Sequence, residues 1–150
     1  MLGIFGKKMN EGYEIKYVEN PDRSVWGVIV NGLKEFNSRN AGEDQMRELC
    51  LALYSPDQEI VGGVIAETYW NWLFVNVMWV KEELRGQGYG AQLLKMTEEE
   101  AIKRGARYAY LDTFSFQAPE FYSRNGYKVF GELKDFPPGH QRFFYEKELK

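Results

Sequence analysis

Hydrophobic positions recur along this chain at two periods, one of two residues and one of three to four, and the period changes several times. Tyr13, Ile15 and Tyr17 fall on alternate positions of Tyr13–Glu19, the pattern of a first strand. Asn20-Pro21-Asp22 follows: a capping residue, a proline whose missing N–H costs nothing at a helix start, and an acid suited to the helix dipole. Trp26, Ile29, Val30, Leu33 and Phe36 then recur at helical spacing until Asn37-Ser38-Arg39-Asn40-Ala41-Gly42 ends the signal. Three strands are predicted next, over Arg47–Tyr54, Glu59–Tyr69 and Trp72–Val80. The short breaks at Ser55-Pro56-Asp57 and Trp70-Asn71 make them an antiparallel meander.

After the meander the helical period returns. Leu93, Leu94, Thr97 and Ala101 mark one face, Glu99–Lys103 and Glu100–Arg104 form i,i+4 pairs on the other, and Gly105 stands where a helix end favours positive φ. The run Glu98-Glu99-Glu100 reads as a solvated face. Arg107–Thr113 is expected to be a strand, Pro119–Arg124 a short helix closed by Asn125-Gly126, and Tyr127–Glu132 and Gln141–Leu149 the last two strands. The whole is a single α/β domain over residues 1–150, with a mixed, mostly antiparallel sheet of about seven strands and flanking helices. The Trp72–Val80 strand, the Leu93 helix and the Arg107–Thr113 strand make a right-handed βαβ unit, so those two strands are expected to be parallel.

Composition narrows the chemistry. Nineteen basic against 22 acidic residues give a net charge of −3, with no global basic field for nucleic acid. One cysteine and one histidine, Cys50 and His140, cannot supply the four ligands of a structural zinc site, and no metal is expected. Cys50 falls mid-strand, where it reads as a small buried hydrophobe. Met1–Asn10 lacks the apolar run of a signal peptide or a membrane span, which leads to the expectation of a cytoplasmic protein. The aromatic share is high at 16%, more than a minimal core requires.

The candidate chemistry lies between a strand and a helix, in Arg85-Gly86-Gln87-Gly88-Tyr89-Gly90-Ala91. Glycines at alternate positions clear the backbone, and the following helix start offers unpaired N–H groups, an environment that suits a diphosphate. A turn that merely connects the two elements has the same composition. No Gly-Lys-Ser/Thr ending is present, which excludes a nucleotide triphosphatase loop. Gly86, Gly88 and Ala91 do satisfy the dinucleotide fingerprint, with Asp112 downstream, but the fingerprint opens a βαβαβ half and here an antiparallel meander precedes it.

These residues resemble the acyl-CoA diphosphate loop of the GNAT superfamily of N-acyltransferases. Ala118-Pro119-Glu120-Phe121-Tyr122-Ser123-Arg124-Asn125-Gly126-Tyr127 is similar to the later motif of that family, a short helix bearing Phe-Tyr and ending in Asn-Gly-aromatic. Asp112-Thr113-Phe114-Ser115-Phe116-Gln117-Ala118-Pro119 and Asp135-Phe136-Pro137-Pro138-Gly139-His140 resemble a bacterial subgroup of small members. The resemblance implies an acetyl-CoA-dependent N-acetyltransferase in which an amine, a small molecule, attacks the thioester directly in a ternary complex. A non-catalytic acyl-CoA-binding module on the same fold is the alternative. No nucleic acid or membrane partner is implied, and a homodimer is compatible with the reading.

The resemblance also assigns roles. The two central parallel strands are expected to splay, so that the pantetheine arm pairs between them and backbone N–H groups near Met78 and Trp79 meet the thioester carbonyl, with Val80 beside them in the cofactor site. Arg85, Gly86, Gln87, Gly88, Tyr89, Gly90 and Ala91 form the diphosphate loop. Tyr122 matches the general acid that protonates the departing thiolate. Ser115 stands where many members carry an asparagine that bonds the cofactor arm. Glu67, Asp112 and His140 are the titratable candidates for the base, and Trp26, Phe36, Trp70 and Trp72 are available to an acceptor pocket or to the core.

Overall fold

Two left-handed residues in succession, Trp70 at φ +42° and Asn71 at φ +63°, turn the chain on itself and set the register of the central hairpin. The computed structural model describes residues 12–150. They divide into two units, one running to Glu43 and one from Asp44 to Lys150. The expectation for Met1–Asn10 lies outside the described residues.

The first unit carries α1, Arg23–Ala41. Its cap is Asp22 rather than Asn20: the Asp22 carboxylate accepts the Ser24 and Val25 N–H groups at 2.9 and 3.1 Å. Those bonds and the hydroxyl of Ser24 hold the Asp22 carboxyl below its ordinary range, the Ser24 side chain contributing most. Gly42, at φ +78°, closes the helix and donates to the Ser38 carbonyl at 3.0 Å. The strand expected over Tyr13–Glu19 does not form; Tyr13 occupies an isolated bridge position and the stretch after it is irregular. Alternation specifies a strand only where a neighbour takes its backbone hydrogen bonds.

The second unit is built on β1 (Arg47–Tyr54), β2 (Ile60–Tyr69), β3 (Trp72–Val80), α2 (Tyr89–Lys103), β4 (Tyr108–Phe114), α3 (Pro119–Arg124), β5 (Lys128–Lys134) and β6 (Gln141–Glu148). Its sheet has six strands among the described residues, one fewer than expected, in the order β1-β2-β3-β4-β6-β5. All pairs are antiparallel except β3 with β4, which is parallel as the βαβ unit requires. No helix of the described residues is long and apolar enough to cross a membrane.

One face of the sheet packs on α2. Leu93, Leu94, Thr97 and Ala101 of α2 are buried with Val64 and Ala66 of β2, Leu73 and Val75 of β3, and Ala109 and Leu111 of β4. Gly105, at φ +93°, ends α2 in a Schellman motif: Ala106 N–H donates to Ala101 O and Gly105 N–H to Ile102 O, both at 2.9 Å. Arg104 pairs with Glu100 at 3.0 Å as the spacing predicts, whereas Glu99 pairs with Lys95 and Lys103 with Glu100, each at 3.8 Å. Glu98 departs from the solvated face, its side chain only 12% exposed and its carboxylate held by Lys147 at 2.7 Å. Cys50, expected to be buried, is exposed on β1.

Much of the aromatic surplus lies on the opposite face, across the parallel pair. Trp72 stacks on Tyr108 at 4.9 Å between ring centroids, and Phe74 on Tyr110 at 4.6 Å. The Tyr69 and Tyr110 hydroxyls are hydrogen-bonded to each other.

Candidate active site

The site begins with an extra residue. Ile65 lies opposite Val77 but Ala66 lies opposite Val75, so Asn76 bulges from β3. At the same level the parallel pairing stops: Val75 with Leu111 is its last pair, and Asn76–Val80 diverges from Asp112–Phe114. The expected splay of the central strands is therefore present. Lys81 N–H donates to Val61 O at 2.9 Å, and strand alternation aims Trp79 at β2 in the same way, which directs the N–H groups of Met78 and Val80 into the gap. Of the two N–H groups expected to meet a thioester carbonyl, that of Met78 faces the opening and that of Trp79 faces β2, while the N–H of Val80, expected in the cofactor site, faces the opening as well.

On the other wall, Ser115 N–H donates to Gln141 O at 2.8 Å and Leu149 N–H to Arg107 O at 2.7 Å, so the odd-numbered residues of β4 bond β6. Asp112 and Phe114 turn their backbone groups toward the gap. Gln117 occupies both groups of Phe114: its Oε1 accepts the Phe114 N–H at 2.9 Å, and its own N–H donates to the Phe114 carbonyl at 2.9 Å. The Val80 carbonyl accepts Arg85 Nε at 2.9 Å. The outer end of the gap is thus closed by two side chains, while Met78, the N–H of Val80 and the backbone of Asp112 remain directed into it.

Arg85 leads into the glycine loop, and the three glycines do different work. Gly86 and Gly88 have φ of +72° and +90°, and a Cβ on either would meet nothing within 4 Å, so both combine a left-handed backbone with open space in front. Gly90 is a packing residue: its Cβ would lie 3.2 Å from the Met78 methyl and 3.4 Å from the Phe121 ring. It brings β3, α2 and α3 together. Gly88 caps α2 without a side-chain hydrogen bond, and the first turn holds no acid, so the N–H groups of Tyr89, Gly90 and Ala91 present an uncompensated positive end. Gln87 is bound through its side chain to the Glu83 carbonyl at 2.9 Å. This cradle fits a diphosphate in shape and in sign.

Tyr122 stands on α3 inside a cluster of rings, 5.1 Å from Phe121 and 6.0 Å from Tyr127 and Tyr145. Burial, and after it the charge of Asp112, raises its phenol above the ordinary 10.0. The group keeps its proton at neutral pH and is a donor.

The three candidate bases differ in what holds them. Asp112 Oδ1 accepts Nε and Nη2 of Arg142, both at 2.7 Å. His140 lies in the loop before β6, its Nδ1 3.4 Å from Ser115 Oγ and its ring edge-on to Phe116 at 4.9 Å. Ser115 Oγ also accepts the Gln141 N–H at 3.1 Å, so the hydroxyl is turned to the β6 hairpin. Glu67 is half-buried on β2 opposite Phe74, and its charge acts on the Tyr110 phenol. Among the described residues no hydrogen bond or ion pair engages the Glu67 carboxylate. Trp72 belongs to the aromatic face over β3 and β4, Trp70 sits in the adjoining turn, and Trp26 and Phe36 lie in the first unit.

Sequence reasoning missed Arg142 and Gln117. Arg142 lies among three rings, 5.4 Å from the centroid of Phe114, 5.2 Å from Phe136 and 5.3 Å from Phe144. Alternation along Gln141–Leu149 places Arg142 and Phe144 on one face, but the register that sets Asp112 opposite Phe144 is not written in the local pattern.

A bulged strand thus diverges from its parallel neighbour beside a glycine loop that opens a helix. Residues 47–129, just over half of the chain, match the family described as the acetyltransferase (GNAT) domain. An acetyltransferase of Agrobacterium fabrum is 36% identical over 128 residues, 85% of this chain and 93% of that one. The blasticidin-S acetyltransferase of Streptomyces morookaense is 37% identical over 92 residues, 61% of this chain and 68% of that one. The crystal structure of an acetyltransferase from Bacillus cereus superposes with a TM-score of 0.82 at 38% identity, covering 89% of this chain and 98% of that one. The chain belongs to the GNAT acetyltransferases.

Proposed function

We propose that the protein transfers an acetyl group from acetyl-CoA to the amine of a small molecule, by direct attack within a ternary complex. The observation that carries this reading is the end of β3–β4 pairing at Val75 and Leu111, which leaves backbone donors directed into a gap beside the glycine loop. The similarity to a blasticidin-S acetyltransferase supports a small compound as acceptor. Gly86, Gly88 and the first turn of α2 hold the diphosphate, with Arg85 beside them. The backbone along the gap pairs with the pantetheine arm. The Met78 N–H polarises the thioester carbonyl and meets the negative charge that develops on its oxygen as the amine nitrogen adds to the carbon.

Glu67 takes the proton lost by the amine, directly or through water, because Asp112 is engaged by Arg142 and His140 is turned to Ser115. Tyr122 donates its proton to the sulfur as the carbon–sulfur bond breaks, so that CoA leaves as the neutral thiol. Initial rates measured over a grid of acetyl-CoA and amine concentrations test the order of events. Intersecting reciprocal plots are expected. Parallel plots would establish a covalent acetyl-enzyme and overturn direct attack.

A further inference from the structure

Helix α3 has six residues and no side-chain cap, so the position of Tyr122 is imposed from outside. Two tyrosines impose it, one through its phenol and one through its backbone N–H. Tyr145 Oη donates to the Pro119 carbonyl at 3.0 Å, at the start of the helix. Tyr127 N–H donates to the Tyr122 carbonyl at 3.1 Å, just past its end. Tyr127 is itself fixed: it is 2% exposed, and its hydroxyl donates to Glu98 Oε1 on α2 at 2.9 Å. Lys147 on β6 reaches both oxygens of Glu98, at 3.0 and 2.7 Å, and its ammonium lies 5.3 Å from the centre of the Tyr127 ring. One carboxylate therefore joins α2, β6 and the residue that bonds the backbone of Tyr122.

Stability is a poor explanation for this arrangement. Taking a carboxylate and an ammonium out of water offsets most of their attraction, and apolar side chains of similar volume serve a core at least as well. What the trio supplies that apolar packing does not is a fixed, directional tie between two helices. The first turn of α2 faces the glycine loop, and α3 carries Tyr122. A shift of about 1 Å between bound donor and catalytic group is enough to cost about a hundredfold in rate.

We propose that Glu98 is a positioning residue for acetyl transfer, acting with Lys147 and Tyr127 to hold the Tyr122 phenol in line with a thioester anchored at the start of α2. The proposal rests on the reading of Tyr122 as the group that protonates the departing thiolate.

A double-mutant cycle on the full-length enzyme, with acetyl-CoA and an amine acceptor, tests it. Glu98→Gln is expected to lower kcat about tenfold while leaving the KM for acetyl-CoA unchanged, since the tie acts after binding. In a Tyr122→Phe background the same substitution is expected to change kcat by less than about twofold, because the group it positions is gone. A tenfold effect that persists in that background, or an unchanged kcat in Glu98→Gln alone, overturns the proposal while leaving the role of Tyr122 intact. An unchanged kcat in Tyr122→Phe alone overturns the role of Tyr122, and the proposal with it. If Glu98→Gln does not fold, Tyr127→Phe, which removes one hydroxyl and keeps the ring, goes through the same cycle with the same outcomes.

Discussion

Arg85 reaches back along the chain, and its Nε donates to the carbonyl oxygen of Val80 at 2.9 Å. The bond joins the first residue of the glycine loop to the last residue of β3, at the mouth of the gap between β3 and β4. It occupies a carbonyl that β2 does not use, and it leaves the other guanidinium donors available to a ligand. Arg85→Ala is expected to weaken acetyl-CoA binding about tenfold, the loss of one charge-assisted contact. Calorimetry would read the change, and the difference from wild type should shrink as salt is raised.

The sign of the loop can be tested apart from its shape. Gly88 has φ +90° and open space before it, so Asn and Asp at this position carry similar backbone strain. Gly88→Asp is expected to weaken acetyl-CoA binding at least about tenfold more than Gly88→Asn, because only the former sets a negative charge against the diphosphate. Equal affinities of the two variants would contradict the placement of the diphosphate.

Gly63 answers to space alone. A Cβ there would sit 2.5 Å from the Leu51 carbonyl oxygen on β1, a backbone atom that cannot step aside. Gly63→Ala is expected to destabilise the protein by about 1–3 kcal/mol, as overpacking does, and the midpoint of denaturant unfolding would report it.

Burial raises the phenols of Tyr122 and Tyr127 above the ordinary 10.0, that of Tyr127 with help from Glu98. Tyr122 then stays protonated through pH 9, so kcat should show no alkaline fall below that pH. Stability carries the opposite sign at higher pH. Unfolded phenols ionise near pH 10 while the folded ones keep their protons, so the folded state loses stability as pH rises beyond that value. Unfolding followed from about pH 9 to pH 11 should show this decline, and Tyr127→Phe should flatten it.

Much of the fold can be read from periodicity because neighbouring side chains report a shared face. Arg47–Tyr54, Trp72–Val80 and Pro119–Arg124 match the expected boundaries, and the parallel pairing of β3 and β4 follows from the handedness of one crossover. The glycine loop and Tyr122 stand out as candidates for a related reason, since each belongs to a motif of adjacent residues. Long-range partners escape this kind of reading. Glu98 looks solvated beside Glu99 and Glu100, and its partner Lys147 is fixed only by the register of β6. The pairing of Asp112 with Arg142 is hidden in the same way. Tyr13–Glu19 fails for the converse reason: its alternation is local, and a strand also needs a neighbour.

The proposed chemistry hinges on the phenol of Tyr122. Thiol release from acetyl-CoA, followed with a working amine acceptor in wild type and in Tyr122→Phe, isolates one hydroxyl in an otherwise unchanged ring cluster. In Tyr122→Phe, kcat is expected to fall about a hundredfold or more while acetyl-CoA binding, measured by calorimetry, is unchanged. Thiol release at the wild-type rate would contradict the proposed role of that phenol.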